Sequence, residues 1–194
     1  MRKSPWAVSV VIIALCAVFP PSCSSDPVAV DAGPPPCDQE CQDKTAVRAV
    51  REMMKLVYNL TLQGKPVGPQ NAAISCPKGG KAFIYGTATS NAEQGTTELK
   101  LTYEADACGY EQRDNDVEES YDVVLTGKIV QEGVLAVQPS SSTALVMKGE
   151  GVTLSGTIRL PAVPYRAEAC KLDMTQNGNK LTATFCGRTV GIDL

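Results

Sequence analysis

Histidine is absent from the 194 residues. That absence removes the commonest general base, the commonest metal ligand and every Ser/His or Cys/His catalytic pair. Aromatic side chains make up only 5% of the chain, with a single tryptophan. No segment beyond the N-terminal two dozen residues carries the about 20 consecutive apolar residues that a membrane-crossing helix takes. Clustered bases are missing as well. Lysine and arginine total 18 against 21 acids, and loss of Arg2 and Lys3 with a leader would leave 16 against 21, a net charge of −5. Phosphate backbones are held by clustered Lys and Arg, so nucleic acid is not an expected partner. A Gly-rich phosphate loop, a nucleophile elbow and a dinucleotide fingerprint are all lacking, which leaves no catalytic constellation. The expectation is a protein that is not an enzyme and needs no cofactor or metal.

What is present begins with an export signal. Met1-Arg2-Lys3 precedes an uncharged run from Trp6 to Phe19, followed by Pro20, Pro21, Ser22 and Cys23. This charged start, short apolar stretch and small-residue site is the layout of a signal peptide, expected over residues 1–22. Ser22-Cys23 resembles the lipidation site of lipoproteins from Gram-negative bacteria, in which a small residue precedes a cysteine that is acylated and becomes the new N-terminus. Pro20 stands where those signals carry an aliphatic residue, and cleavage after Ser24 with loss of Cys23 is the alternative. The resemblance implies a lipid anchor on Cys23. In such lipoproteins an Asp after the cysteine marks inner-membrane retention; Ser24 here implies the outer membrane.

Setting aside Cys16 in the leader and Cys23, six cysteines remain: Cys37, Cys41, Cys76, Cys108, Cys170 and Cys186. An even number in an exported chain reads as three disulfides. Zinc fits poorly, because there is neither His nor a CxxC pair. Cys76 and Cys108 lie symmetrically about the Ser90–Gly95 loop, and Cys170 and Cys186 are equidistant from Gly178, so each pair is expected across a hairpin. Cys37 with Cys41 follows by remainder. The second pairing conflicts with side-chain phase: an Asn177-Gly178 turn would match Leu172 with Ala183 and Met174 with Leu181, setting Cys170 opposite Phe185. A bulge is required to reconcile them.

Residues 23–36 are rich in Ser, Asp, Ala, Gly and Pro and bury too little to offset ordering entropy, so they read as a tether. Then Ala46, Val47, Val50, Met53, Met54, Val57 and Leu60 recur at three-and-four spacing with Arg48, Arg51, Glu52, Lys55 and Asn59 opposite, the pattern of an amphipathic helix. Asp43 is its expected N-cap, and Gly64 and Pro66 its stop. After Cys76 the period becomes two. Alternating sets at Phe83-Tyr85-Thr87, Leu99-Leu101-Tyr103, Tyr121-Val123-Leu125, Leu145-Met147, Val152-Leu154-Ile158-Leu160, Leu172-Met174 and Leu181-Ala183-Phe185 read as half-buried antiparallel strands. The expected fold is mainly β: a curved antiparallel sheet or partial barrel of about seven or eight strands with one N-terminal helix packed on it, all within a single domain of residues 37–194.

Three glycines, Gly86, Gly127 and Gly156, sit inside strands, where glycine marks a bend or close approach. Gly127 shares its phase with Val123, Leu125 and Ile129, and Gly156 with Leu154 and Ile158, so both are expected to leave a furrow on the apolar face. Either the helix fills it or an apolar ligand does. The acids from Glu111 to Glu119 lack the turn glycine and distal Glu of a calcium loop. Glu104 and Asp106 fall on a polar face, where solvation explains them, rather than as a facing glycosidase pair. Ser140, Ser141 and Ser142 after Pro139 read as a turn.

The functional expectation is a non-catalytic, lipid-anchored envelope protein acting by binding or structural interaction. One alternative is a carrier of an apolar ligand or lipid; in architecture such a sheet resembles the half-barrels of periplasmic lipoprotein and lipid carriers. The other is a carboxylate-dependent hydrolase. The membrane through the lipid, and a protein or apolar ligand, are the expected partners.

Overall fold

A computed structural model describes residues 37–62, 68–113, 120–136, 142–158 and 162–194, all within one compact unit. The leader, Cys23, the tether, the helix stop at Gly64 and Pro66, the acids at 114–119 and Ser140-Ser141 lie outside the described residues.

The amphipathic stretch forms helix α1 (Gln39–Leu62). It starts a turn earlier than the apolar periodicity implies, because Asp38 rather than Asp43 caps it: the Asp38 carboxylate accepts the N–H of Cys41 at 2.9 Å, three residues on, as an N-cap does. The Cys37–Cys41 disulfide closes the same turn, Cα to Cα 5.3 Å. Ala46, Val47, Val50, Met53, Met54 and Val57 are buried as their spacing requires, whereas Leu60 is 58% exposed.

Eight antiparallel strands follow in a single meander: β1 (Gly68–Ser75), β2 (Lys81–Asn91), β3 (Thr96–Gln112), β4 (Tyr121–Ala136), β5 (Ala144–Ile158), β6 (Val163–Asn177), β7 (Lys180–Phe185) and β8 (Arg188–Asp193). Each pairs with its sequence neighbours and the sheet is open. Helix α1 nevertheless touches β1 and β2 at one end, β7 and β8 at the other, and β4 and β5 between. One helix meets both edge strands only if the sheet curls around it, so α1 occupies the concavity and supplies the middle of the core.

The curl has a local cause. Strands β3, β5 and β6 each carry a bulge, at Asp106-Ala107, Glu150-Gly151 and Glu168-Ala169, against regular stretches of their partners. An acid followed by Ala or Gly recurs at all three, and the second residue adopts a left-handed conformation: φ is 48° at Ala107, 69° at Gly151 and 49° at Ala169. A threonine on the adjacent strand accepts the N–H of each alanine, Thr126 from Ala107 at 3.3 Å and Thr153 from Ala169 at 3.0 Å. Bulges bend the strand that carries them and increase its twist, so successive bulges crease the long strands around the helix.

Several strand expectations need correction. Strands β1 and β8 are additional to the expected runs, and the runs at Leu145 and Val152 are one strand, β5, interrupted by its bulge. In β2 the buried set is Ala82, Ile84 and Ala88, while Phe83 is 39% exposed, so the strand turns inward the phase opposite to Phe83-Tyr85-Thr87. The last hairpin turns through Gly178-Asn179, not Asn177-Gly178, since Asn177 pairs with Lys180. Leu172 is therefore opposite Phe185 and Met174 opposite Ala183.

Candidate functional site

All three expected disulfides are present. Their settings differ from simple hairpin opposition. Cys76 lies in the β1–β2 turn, which folds over β3: Lys78 N–H donates to the Gly109 carbonyl at 3.1 Å, and Gly109 N–H to that of Gly79 at 2.9 Å. Lys78 also bridges Glu111 at 2.9 Å and Asp122 at 2.5 Å. No bulge interrupts the β6–β7 pairing; the turn at Gly178-Asn179 sets the register instead. Cys186, in the β7–β8 turn with φ 51°, donates its N–H to the Lys171 carbonyl at 3.2 Å and so lies beside Cys170. Three disulfides fit an oxidising, extracytoplasmic environment. Among the described residues no helix is long and apolar enough to cross a membrane.

At Gly127 and Gly156 the space of the missing side chains is filled by neighbouring strands, not left as a furrow. A Cβ on Gly156 would stand 2.1 Å from the Asp122 carbonyl oxygen, and one on Gly127 3.1 Å from the Val152 Cα. Neither glycine lines a ligand site. Glu104 and Asp106 are exposed, and no group of three His, Cys, Asp or Glu side chains suited to a metal occurs among the described residues.

Among the described residues the one acid that folding has buried is Asp43, 4% exposed. Arg188 grips it with two hydrogen bonds, Nε to Oδ2 at 2.6 Å and Nη2 to Oδ1 at 2.8 Å. Tyr165 (3.2 Å) and Gln39 (3.1 Å) also donate to Oδ1. Burial pushes the carboxyl pKa up, but the bonds and charge of Arg188, with Gln39 and Tyr165, outweigh it and hold it below the ordinary value. Burial and the Asp43 charge push the Tyr165 hydroxyl up to about 12. A carboxylate so engaged fastens α1 to β6 and β8.

A different arrangement lies toward the C-terminal half of α1. The strand registers set the inward residues of the sheet in rows: Leu99, Gly133, Leu145 and Gln176 form one, and Leu101, Gln131, Met147 and Met174 the next. Two glutamines thus stand on an otherwise apolar inner face, 7% and 6% exposed for Gln131 and Gln176. Over them the helix does not close fully on the sheet, leaving a cleft of about 300 Å³ with Met54, Leu99, Leu135, Leu145 and Met147 as its apolar walls. Tyr58 and Tyr103 flank it, and Arg51 and Lys55 stand on the helix side.

Hydrogen bonding in the cleft is incomplete. The Tyr103 hydroxyl donates to Gln131 Oε1 at 2.6 Å, and Gln176 Nε2 donates to the Gly178 carbonyl at 2.9 Å. Because only the NH₂ end can donate to a carbonyl, the latter bond leaves the Gln176 amide oxygen as the atom in want of a partner. Among the described residues neither that oxygen nor the Gln131 amide nitrogen has a protein partner, although neither is sealed from space. Buried polar groups nearly always find a partner; here the cleft is where one would come from. Burial, and then Tyr58, drive the Tyr103 hydroxyl pKa far above its ordinary value, so it stays a neutral donor. Sequence reasoning did not single out these residues. The signal was available: Gln131 follows Ile129, and Gln176 follows Leu172 and Met174, each a polar residue in an apolar phase.

No family model matches the chain, and no curated protein or solved structure matches it either.

Proposed function

We propose that this is a non-catalytic binding protein of the bacterial envelope, exported by its leader, anchored in the outer membrane by a lipid on Cys23, and holding a small apolar molecule in the cleft between α1 and strands β3–β6. The observation that carries this reading is the cleft itself: about 300 Å³ with apolar walls and, among its lining residues, two buried amides each with one unpartnered atom. Ligand sites are concave, mostly apolar and furnished with a few placed polar groups, and this volume falls at the small end of their range of about 300–1,000 Å³. Helix α1 fills most of the concavity, so a bulky two-chain lipid has no room, which narrows the carrier reading to a compact ligand.

Binding is tested with a neutral fluorescent naphthylamine probe, whose emission rises in an apolar site. Uptake by the mature domain and its loss in Leu135→Trp, at the half-buried wall, are expected, with the variant's melting temperature certifying its fold. No uptake by a folded wild-type domain overturns the cleft. Anchoring is tested separately by intact mass of the detergent-extracted protein: an acylated N-terminal Cys23 is expected, and a mature chain beginning at Ser25 overturns it.

A further inference from the structure

Resting on that reading, we infer that the ligand of the cleft is a free, compact amphiphile with one acidic head and a hydroxyl or amide close behind it on its apolar body. The acidic head follows from the charges at the mouth. Arg51 and Lys55 line the cleft, and with Arg48 they form a stripe at helical spacing along the adjoining surface, which Gln176 also borders. Glu52 is the only acidic side chain among the described residues lining either space. Leu194, whose terminal carboxylate is a second anion, borders the outer one, where Arg48 is already bonded to the Asp193 carbonyl at 3.1 Å, so the cations that count at the cleft are Arg51 and Lys55. Glu52 pairs with both Arg51 and Lys55, the latter at 3.4 Å, so one negative charge is shared by two cations and the mouth keeps an excess of positive charge. This is a local inversion on a chain whose formal net charge is −3. Lys55 is exposed and can turn toward an incoming anion, while Arg51 is held in place by Glu52.

The internal polar group follows from the glutamines. Gln131 presents an N–H and Gln176 a carbonyl oxygen, one donor and one acceptor on neighbouring inward rows of the sheet. A bare hydrocarbon placed against them would strip both of water and return nothing, a loss that sites built to bond a hydroxyl or amide convert into discrimination. A hydroxyl both donates and accepts, and so does an amide; either completes the pair. The volume admits one short chain or ring system, not two chains.

The probes are 3-hydroxydecanoate, its methyl ester and decanoate, each titrated against the mature domain by displacement of the neutral naphthylamine. 3-Hydroxydecanoate is expected to bind tightest. Esterification should weaken it about fivefold at low salt, a difference that 0.5 M NaCl largely removes, as screening of a surface charge requires. Removing the hydroxyl to give decanoate should weaken it about tenfold. Lys55→Gln should abolish most of the acid-over-ester preference and leave the hydroxyl preference; Gln131→Leu should do the reverse. Equal binding of acid and ester overturns the acidic head, and equal binding of decanoate and its hydroxy form overturns the internal polar group, while in both cases the cleft stands. Association with phosphatidylglycerol vesicles without uptake of any free acid overturns the inference in favour of a membrane surface. Failure of the naphthylamine itself marks the failure of the cleft instead.

Discussion

At the scale of single residues, Asp43 shows how far a side chain's role depends on what folding brings to it. In the sequence it stands before an apolar periodic run and reads as a helix cap; in the structure it is a buried anion whose partners, Tyr165 and Arg188, lie more than a hundred residues away. Its carboxyl titrates below the ordinary value of 3.8. The stabilisation it provides is therefore present in full above that ordinary value and is lost as pH falls through the lower, folded one. Asp43→Asn is expected to cost about 2 kcal/mol at neutral pH, a modest figure because Arg188 is partly exposed and can turn to water. The penalty should shrink as pH drops below 3.8, where the unfolded wild-type chain takes up its proton. Urea unfolding of both proteins between pH 7 and pH 2 measures it; a pH-independent difference would sink the ion-pair account.

Strands carry the curvature. The bulges of β3 and β6 place two alanines, Ala107 and Ala169, in a conformation that favours glycine, costing roughly 1 kcal/mol each. Ala107→Gly and Ala169→Gly should each raise stability by up to about 1 kcal/mol, less the added freedom of the unfolded chain. Gly156 makes the opposite case: its φ is 149°, and the Asp122 oxygen lies 2.1 Å from where a Cβ would stand, which leaves no room for a side chain. Gly156→Ala should cost about 3 kcal/mol. Thermal melting ranks the three, and a stabilised Gly156→Ala would mean that the strands separate there more easily than their registry implies. Helix α1 is readable from its spacing because a helix presents one face at a fixed period. Strand β1 is not, because it is half-covered and its apolar content is thin, with no residue fully buried along Gly68–Ser75; β8 is only six residues long and offers just Val190 and Ile192 as a buried alternating pair.

Across the whole molecule, the disulfides staple the two ends of a fold dominated by contacts distant in sequence. Their spans are 4, 16 and 32 residues. Constraint of the unfolded chain grows slowly with loop length, giving about 2, 3 and 4 kcal/mol in the same order. Paired Cys→Ser replacements should therefore destabilise least at Cys37–Cys41 and most at Cys76–Cys108, read from denaturant midpoints under non-reducing conditions. The reverse order would show that native packing around the bridges, rather than loop closure, sets their worth. The cleft belongs to this scale too. It exists because a helix of fixed width lies in a sheet whose curvature is set independently by the bulges, and the two do not meet along their full length.

The sequence by itself determined the class of fold, the helix and the alternation of most strands, since each depends on local period along the chain; spacing suggested the cysteine partners but did not choose among their possible pairings. Only the tertiary structure decided which face of β2 points inward, what holds Asp43, why Gly127 and Gly156 must lack side chains, and that Gln131 and Gln176 meet beside Tyr103. Those depend on strand register and on the fit of helix to sheet, and a one-residue change of register carries every side chain of a strand to its other face.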